Sequence, residues 1–293
     1  MFRQLRSFSA VEVTGADAGS FLQNLLTGDV EKLTRERAMV TAWATPQGRV
    51  AFCFVLLTIA DGFLLLIPTA RHEALCRRLE LYRLRAHVEI KGAGNAWRVA
   101  LHVDDTASAS HDRYTVSRDE GDNRLAVTPD GGRLWLQVAR DEFADDAPPA
   151  DDVITQRWGE LMVHNADPLC SCEAEEQYLP QTLNLDVLGG LSHTKGCYPG
   201  QEIVTRVRTR GQLKRRMQLM RVAPDVHVTS DMPLFHAGIE ATQGYIIAVA
   251  ESVDGHIVLA AAPWPASPSD TLLTREGALL TPVEMPYTLP SSG

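Results

Sequence analysis

The chain has 293 residues, of which 45% are hydrophobic and 22% are charged, and these proportions are typical of a globular protein with room for two or three domains. Its formal net charge of -9 argues against broad attraction to nucleic acid or to an anionic membrane, unless basic residues gather in one place. The five cysteines are few and odd in number, which argues against a disulfide framework and favours a reducing cytosol. The first residues lack the apolar core of a secretory signal, so a cytoplasmic protein is expected.

The first predicted helix lies in TGADAGSFLQNLLTGDV, residues 14–30. Thr14 and Asp17 have the spacing of a capping box, in which each side chain bonds to the backbone of the other residue. Gly28 stands where the helix would stop. The apolar positions fall on one helical face: Phe21, Leu22, Leu25 and Leu26.

The most apolar stretch, VAFCFVLLTIADGFLLLIP, is interrupted by Asp61 and Gly62 before it reaches the ~18 residues of a membrane span. Two strands joined by an Asp-Gly turn are therefore predicted. A second helix is predicted from Thr69 to about Leu84, followed by a strand in HVEIKG. The buried stripe of that helix is expected to consist of Leu75, Leu79 and Tyr82.

The second half of the chain is predicted to contain a linker, a helix and a small all-β domain. Residues 141–152, DEFADDAPPADD, hold six acidic residues and a Pro-Pro pair, and this composition predicts a solvated linker. Ile154, Trp158 and Leu161 then suggest a helix that Pro168 ends. From Met217 onward, short alternating segments separated by Pro, Gly and Asp predict a small all-β domain in the form of a barrel.

The segment KGCYPGQEIVTRVRTRG, residues 195–211, holds the strongest chemical signal. Tyr198 to Gln201 have the sequence of a type II turn, because proline presets φ at the second position and glycine accepts a positive φ at the third. Cys197 would then lie on the shoulder of a rigid bend. If the approach to the bend is extended, the Lys195 ammonium shares a face with the thiol and lowers its pKa, which favours a nucleophilic or metal-binding thiolate. A buried structural cysteine is the competing interpretation.

The residues after the turn fit either a strand or a helix. The β-branched residues from Ile203 onward favour a strand, whereas a helix closed by Gly211 would pair Arg206 with Arg210. We predict the helix, partly from the resemblance described next. Six basic residues within eleven positions form either an anion site for carboxylates or phosphates, or a solvated surface: Arg206, Arg208, Arg210, Lys214, Arg215 and Arg216.

KGCYPGQE resembles the KGCYxGQE signature of the YgfZ-type folate-binding proteins, which are relatives of the aminomethyltransferase (T-protein) of the glycine cleavage system. Other segments agree in the order of that family, so that the resemblance covers nearly the whole chain: FLQNLLTGDV (21–30), TPQGRV (45–50), YRLRAHVEI (82–90), LPQTLNLDVLGGLSHTKGCYPGQE (179–202) and GQLKRRM (211–217). The chain departs from the family in reading NADP at 165–168, where members tend to read AGIP, and this difference bears on the shape of the folate pocket.

The resemblance implies an α+β, T-protein-like (aminomethyltransferase-like) fold with a C-terminal β-barrel, enclosing a site for tetrahydrofolate or a related reduced folate. The expected units are residues 1–145 and 146–211, which together form the folate-binding module, and a barrel domain over 212–293. The resemblance also implies an accessory factor for the assembly or maintenance of iron-sulfur clusters. Its partners would be client enzymes, including those that thiolate tRNA.

Within that function, Cys197 is expected to act as a thiolate tuned by Lys195. Asn and carboxylate groups match the donor and acceptor edge of a pterin ring, although the same residues are as common in turns and helix caps. Folate contacts or a role in shaping the loop are expected from the following residues: Asp29, Asn184, Asp186, Gln201, Glu202 and Arg206.

Two other functions compete, and whether the protein turns over a substrate is left open. A one-carbon or aminomethyl transferase needs a carboxylate positioned to handle protons at the folate nitrogen, and the sequence singles out none. Direct tRNA binding through residues 206–216 would weaken steeply with salt, but the acidic total and the lack of interleaved aromatic residues argue against it. Cys170 and Cys172 with Cys197 would suit a soft metal, yet Cys-x-Cys lacks the usual ligand spacing, and no metal site is predicted.

Overall fold

The computed structural model describes residues 3–92, 97–104, 112–140, 152–171, 176–210, 213–252, 255–264 and 271–290. The α-helices in these ranges are α1 (Ala18–Leu25), α2 (Thr69–Arg83), α3 (Asp152–His164) and α4 (Gln201–Arg210), with short 3-10 helices at Val30–Lys32 and Pro168–Ser171. The strands are β1 (Arg3–Gln4), β2 (Phe8–Thr14), β3 (Met39–Ala44), β4 (Val50–Ile59), β5 (Gly62–Pro68), β6 (Glu89–Gly92), β7 (Trp97–Val103), β8 (Thr115–Arg118), β9 (Arg124–Thr128), β10 (Leu134–Arg140), β11 (Arg215–Val222), β12 (Pro233–His236), β13 (Gly244–Ser252), β14 (Gly255–Pro263), β15 (Leu272–Leu273) and β16 (Leu279–Pro282).

The first sheet, in the order β3-β4-β5-β2-β6, is antiparallel throughout and has apolar layers on both faces. Along β4, Phe54 and Leu56 pack with residues of α1 and α2, whereas Cys53 and Val55 face the core shared with the rest of the protein. Burial on both faces removes the polar alternation of a half-exposed strand, and this explains the continuous apolar run. The predicted β4–β5 hairpin is confirmed. No helix within the described ranges is long and apolar enough to span a membrane.

The second sheet, in the order β1-β7-β10-β9-β8, is also antiparallel and packs against the first through β2 and β7. Across this contact the Trp97 indole N–H donates to the buried carboxylate of Glu12 at 2.5 Å, which satisfies both groups away from water. Trp158 and Leu161 of α3 lie in the same core, so the predicted apolar face of this helix is confirmed. The helix ends at His164, before the 3-10 helix that Pro168 begins.

The C-terminal strands close into an antiparallel barrel in the order β11-β14-β13-β12-β15-β16. The barrel has a core of its own, which includes Leu234, Ile246 and Val258. Alternate residues such as Met217 and Leu219 instead join the core shared with the sheets. The predicted α+β fold with a C-terminal barrel is therefore confirmed.

The domain boundaries proposed from the sequence stay a prediction. The solvated linker expected at 141–152 lies outside the described residues, apart from Asp152, which begins α3. The predicted bounds of α2 are confirmed, and so is the buried face of α1.

The predicted capping box at the start of α1 is wrong. Thr14 ends β2, and Asp17 takes the N-cap position without a side-chain cap bond. The Asp17 carboxylate instead accepts the backbone N–H of His87 at 2.7 Å. The side chain therefore ties α1 to the segment before β6.

Two further local predictions are wrong. Gly28 does not stop α1, which ends at Leu25; a Cβ at position 28 would lie 2.3 Å from the Met39 sulfur and 2.7 Å from the Thr41 hydroxyl, so a larger residue would displace these side chains. Tyr82 is 40% exposed rather than part of the buried stripe, although its ring meets that of Trp43 edge-on with centroids 5.0 Å apart.

Candidate functional site

Residues 190–200, here called the cysteine loop, follow a series of turns and dock onto the chain just after α1. The Gly190 carbonyl accepts hydrogen bonds from the hydroxyls of Thr27 at 2.7 Å and Thr41 at 2.9 Å. Two residues later, the backbone N–H of Ser192 donates to the Thr27 carbonyl at 2.8 Å. These buried bonds fix where the loop begins.

Lys195 does not make the predicted contact geometry with Cys197. The chain bends through residues 193–196 instead of running extended, and the Lys195 ammonium donates to the carbonyls of Leu26 at 2.8 Å and Gly28 at 2.7 Å. These carbonyls follow α1, where a helix leaves acceptors without intrahelical partners. Burial lowers the pKa of Lys195 to about 8, against the opposing effect of the nearby carboxylates of Asp29 and Glu31.

The predicted type II turn is confirmed. Gly200 has φ +78, and the backbone N–H of Gln201 donates to the Tyr198 carbonyl at 3.2 Å. A Cβ at position 200 would lie 2.3 Å from the Thr45 carbonyl oxygen, so the turn packs directly on the segment between β3 and β4. Cys197 is exposed on the shoulder of this bend, which contradicts the alternative of a buried structural cysteine.

Gln201 holds the loop from within. Its side-chain amide donates to the carbonyls of Lys195 at 3.5 Å and Gly196 at 3.4 Å, although both bonds are long. The predicted helix over residues 201–210 is confirmed as α4. Glu202 and Arg206 lie exposed on this helix.

The basic residues of 206–216 do not form one patch. Arg206 and Arg208 are exposed on α4, whereas Arg216 is buried at the start of the barrel. Arg216 pairs with the Asp186 carboxylate through two bonds of 2.9 Å and also donates to the Asn184 side-chain oxygen at 3.0 Å. Two of the residues predicted to bind folate, Asn184 and Asp186, thus anchor the barrel to the segment that precedes the cysteine loop.

A cavity of about 360 Å³, here called the four-segment cavity, lies among four separate parts of the chain. The parts are residues 32–39 before β3, 112–114 before β8, 187–189 before the cysteine loop, and Tyr287 after the barrel. Its volume falls in the range of small-ligand sites. Lys32 and Arg37 bring exposed cationic side chains to its wall, together with the carboxylate of Asp112.

A buried polar network stands behind this cavity. The Tyr114 hydroxyl donates to Asp167 at 2.6 Å, and the Arg113 guanidinium lies 3.4 Å from the same oxygen. Burial raises the pKa of the Asp167 carboxyl, while Arg113 and the bond from Tyr114 work in the opposite direction. The Tyr287 hydroxyl accepts from the Asn184 amide at 3.0 Å, so Asn184 contacts the cavity wall from outside.

Sequence reasoning missed Arg113, Tyr114, Asp167 and Tyr287. The signal for Asp167 was available, because it lies in the NADP segment, where the chain departs from the family that it resembles. The other three are scattered along the chain, and only the fold brings them together.

Asp29 links the cavity to the cysteine loop. Its carboxylate lies 3.2 Å from the ammonium of Lys32, which lines the cavity, and accepts from Gln23 at 2.9 Å. Partial burial acts to raise the pKa of Asp29, but the Gln23 bond and Lys32 hold it below its ordinary value. Gly28, beside Asp29, receives the Lys195 ammonium.

The predicted site residues do not line the four-segment cavity, and their roles stay predictions. Among the described residues that line it, none is one of the following: Asp29, Asn184, Asp186, Lys195, Cys197, Gln201, Glu202 and Arg206. For the alternative metal site, Cys170 is partly buried and Cys197 exposed, and Cys172 lies outside the described residues. The described part of the chain holds no group of three or more His, Cys, Asp or Glu side chains arranged to bind a metal ion.

Comparison with known proteins finds curated relatives of this chain and a solved structure with the same fold. No protein-family model matches the chain. The chain is 28% identical over 229 residues to tRNA-modifying protein YgfZ of Vibrio atlanticus (strain LGP32), covering 75% of this chain and 69% of that protein. It is 27% identical over 304 residues to the protein of the same name from Edwardsiella ictaluri (strain 93-146), covering 97% and 91%. The crystal structure of glycine cleavage system aminomethyltransferase T from Bartonella henselae matches with a TM-score of 0.77 at 12% identity, over 97% of this chain and 85% of that one.

These findings confirm the resemblance to the YgfZ-type proteins. They also confirm the T-protein-like fold that the resemblance implied. At 12% identity, the likeness to the solved aminomethyltransferase concerns the fold alone.

Replacing Gly200 by alanine should destabilise the protein by about 2 kcal/mol or more, because the new Cβ meets the Thr45 carbonyl and the positive φ disfavours any other residue. Gly196→Ala is the matched control in the same loop: no heavy atom lies within 4 Å of the added Cβ, so its effect should stay within about 0.5 kcal/mol. Urea unfolding measures both. Equal losses in the two variants would contradict the proposed packing of the turn.

The lowered pKa of Lys195 predicts an unusual titration. With the lysines labelled by reductive ¹³C-methylation, one NMR signal should titrate near pH 8 while exposed lysines titrate near their ordinary value of about 10.4. Lys195→Met identifies the signal by removing it. Because the folded pKa lies below the unfolded one, the folded state binds fewer protons between these values, and this lysine stabilises the fold increasingly as pH rises through that window. A Lys195 signal that titrates with the others would refute the burial effect.

Proposed function

We propose that the protein binds a reduced folate in the four-segment cavity and acts as an accessory factor in tRNA modification, through the maintenance of iron-sulfur clusters in client enzymes. The tRNA-modifying role rests on the names of the curated relatives. The folate and iron-sulfur parts rest on the family resemblance and on the cavity. The observation that carries the proposal is a ligand-sized cavity with cations on its wall. One of its lining residues, Gly189, directly precedes the cysteine loop in the chain.

The cavity suits the two ends of a folate. The glutamate tail carries two carboxylates, and the side chains of Lys32 and Arg37 are 70% and 61% exposed at the wall, where they can pair with anions. The pterin end needs a flat apolar surface and a few polar groups, and Leu188, Met39 and Tyr287 offer the apolar part. Asp112 and the Thr34 hydroxyl supply hydrogen-bonding groups on the same wall.

Cys197 is the proposed reactive group, because among the cysteines that the structure describes its thiol is the exposed one, and it lies on a rigid bend. Lys195 acts in this proposal by holding the loop against the end of α1 rather than by contacting the sulfur. Its low pKa leaves a fraction of neutral amine near neutral pH, and a neutral amine keeps two N–H donors for the two carbonyls. The loop thus stays docked in either protonation state.

A folate-dependent transferase is the second candidate, because Asp112 places a carboxylate on the cavity wall. Such a carboxylate is the proton-handling group that transfer at a folate nitrogen requires. Direct tRNA binding through the whole of residues 206–216 is less well supported, since Arg216 is buried and paired with Asp186 and so cannot join the exposed cations of α4. Turnover of methylene-tetrahydrofolate by the purified protein would favour the transferase.

Calorimetric titration with 5-formyl-tetrahydrofolate should show binding to the wild-type protein. Arg37→Gln and Lys32→Gln should each weaken it about three- to tenfold, because each removes one cation from the tail-binding side. Arg77→Gln is the control. It removes an exposed cation of α2 that does not line the cavity, so the affinity should stay unchanged. Absence of heat at about 1 mM ligand, or equal affinity in all variants, would remove the folate proposal.

Cys197→Ser should keep the stability of the wild type and abolish tRNA thiolation in cells that lack the native protein, because the exposed thiol has no packing role. Cys53→Ser is the matched control: Cys53 is 1% exposed in the core of β4, so a hydroxyl there should cost about 1–3 kcal/mol while activity is kept. Restoration of thiolation by the Cys197→Ser protein would exclude chemistry at this sulfur.

A further inference from the structure

A second and larger cavity of about 650 Å³, here called the basic cavity, lies where the β3–β4 turn, α4 and the barrel meet. Arg49 comes from the end of that turn, Val207 from α4, and Lys214, Arg215 and Tyr245 from the barrel and its approach. It shares no lining residue with the four-segment cavity. The folate proposal therefore leaves it unused.

The charge on this wall is entirely positive. Arg49, Lys214 and Arg215 line the cavity, and none of its described lining residues is Asp or Glu. Arg49 donates to the Gln177 carbonyl at 2.6 Å, and Arg215 to the Thr242 carbonyl at 3.0 Å. Because neutral carbonyls rather than carboxylates position both guanidinium groups, their charges remain available to an anion. In a chain of net charge -9, this is a marked local reversal of sign.

Tyr178 brings to this cavity a buried hydroxyl that has no partner. It lines the basic cavity and is only 5% exposed, yet its hydroxyl has no hydrogen-bond partner within the described part of the chain. Burial raises the pKa of Tyr178 to about 12, with the nearby Asp231 acting in the same direction, so the phenol stays protonated. The hydroxyl is itself buried, so it would meet an oxygen of a bound ligand only after the phenol turns toward the cavity; because a buried donor without a partner is unfavourable, such a bond would be stabilising.

The rest of the wall is suited to a ring rather than to a bare ion. Val207, Leu213 and Pro263 are partly exposed apolar side chains on the cavity wall, and Gln177 adds an amide that both donates and accepts. An inorganic anion would occupy only a small part of a cavity that could hold about twenty waters. The occupant therefore combines a concentrated negative charge with a flat, partly polar group.

We propose that the basic cavity binds a phosphorylated nucleoside, as a free nucleotide or as the terminal nucleotide of an RNA chain. A phosphate monoester carries nearly two negative charges at neutral pH and offers three acceptor oxygens, which match three cations and a phenol donor. A single carboxylate would leave two of the cations without a counter-charge. The base would lie on the apolar wall, with its polar edge toward Gln177.

The test compares adenosine 5′-monophosphate, adenosine and a 5′-phosphorylated RNA trinucleotide by calorimetry on the full chain. The monophosphate should bind at least about tenfold more tightly than adenosine, and the difference should shrink with salt. Lys214→Gln should weaken nucleotide binding about three- to tenfold. The Lys214 side chain is exposed, so this variant should keep its fold. Tyr178→Phe tests the contribution of the phenol donor. Arg77→Gln removes one exposed cation elsewhere on the surface and should leave nucleotide binding unchanged.

The source of the nucleotide follows from the two phosphorylated probes. Equal affinities indicate a free nucleotide, and a trinucleotide that binds at least about tenfold more tightly indicates an RNA end. No binding of either probe at about 1 mM would overturn the proposal, and so would nucleotide binding that Lys214→Gln leaves unchanged or tighter binding of a pentaglutamate peptide. Titration of 5-formyl-tetrahydrofolate into Lys214→Gln should match the wild type, so that failure here is distinct from failure of the folate proposal.

Discussion

The position of the candidate site depends on one close backbone contact, at Gly190. A Cβ at this residue would lie 1.9 Å from the Val40 carbonyl oxygen, so only glycine lets the chain lie flat against β3. The contact allows the Gly190 carbonyl to reach the hydroxyls of Thr27 and Thr41. On one side of Gly190 the chain forms a wall of the four-segment cavity, and on the other it becomes the cysteine loop. Ligand cavity and thiol are therefore placed by the same few bonds.

The segments that carry the family resemblance meet one another in space. FLQNLLTGDV receives the Lys195 ammonium of the signature motif, and TPQGRV packs on Gly200 of the same motif. GQLKRRM supplies Arg216, which pairs with Asp186 in the long central segment. YRLRAHVEI holds the start of α1 through His87. The shared sequence is thus largely a set of mutual contacts that hold the loop, and this explains why separated segments resemble the family together.

Local patterns predicted the elements well and the site contacts poorly. The β4–β5 hairpin, α2, the type II turn and the barrel follow from periodicity and turn chemistry, which act over a few residues, whereas the choice of a helix for α4 also needed the family resemblance. The contact of Lys195 with Cys197 was inferred from an extended approach, whereas the chain bends at residues 193–196 and carbonyls 167 and 169 residues away in sequence accept the ammonium. Arg113, Tyr114 and Tyr287 were missed for the same reason: their meeting is a product of the fold. Asn184 and Asp186, which were predicted to contact folate, make hydrogen bonds to protein groups, and their contact with folate stays a prediction.

The apolar core shared by the sheets and the barrel determines how the protein unfolds. Residues of both sheets, α3 and the barrel strand β11 pack in one apolar cluster, with Leu57, Leu101, Trp158 and Leu219 among its members. A fragment that ended before the barrel would expose this surface to water, and so would the barrel in isolation. The chain is therefore expected to melt in a single cooperative transition, with equal van't Hoff and calorimetric enthalpies, despite its three sheets. Loosening any one sheet then weakens the hold on the cysteine loop, and a ligand bound in either cavity protects the whole molecule from protease.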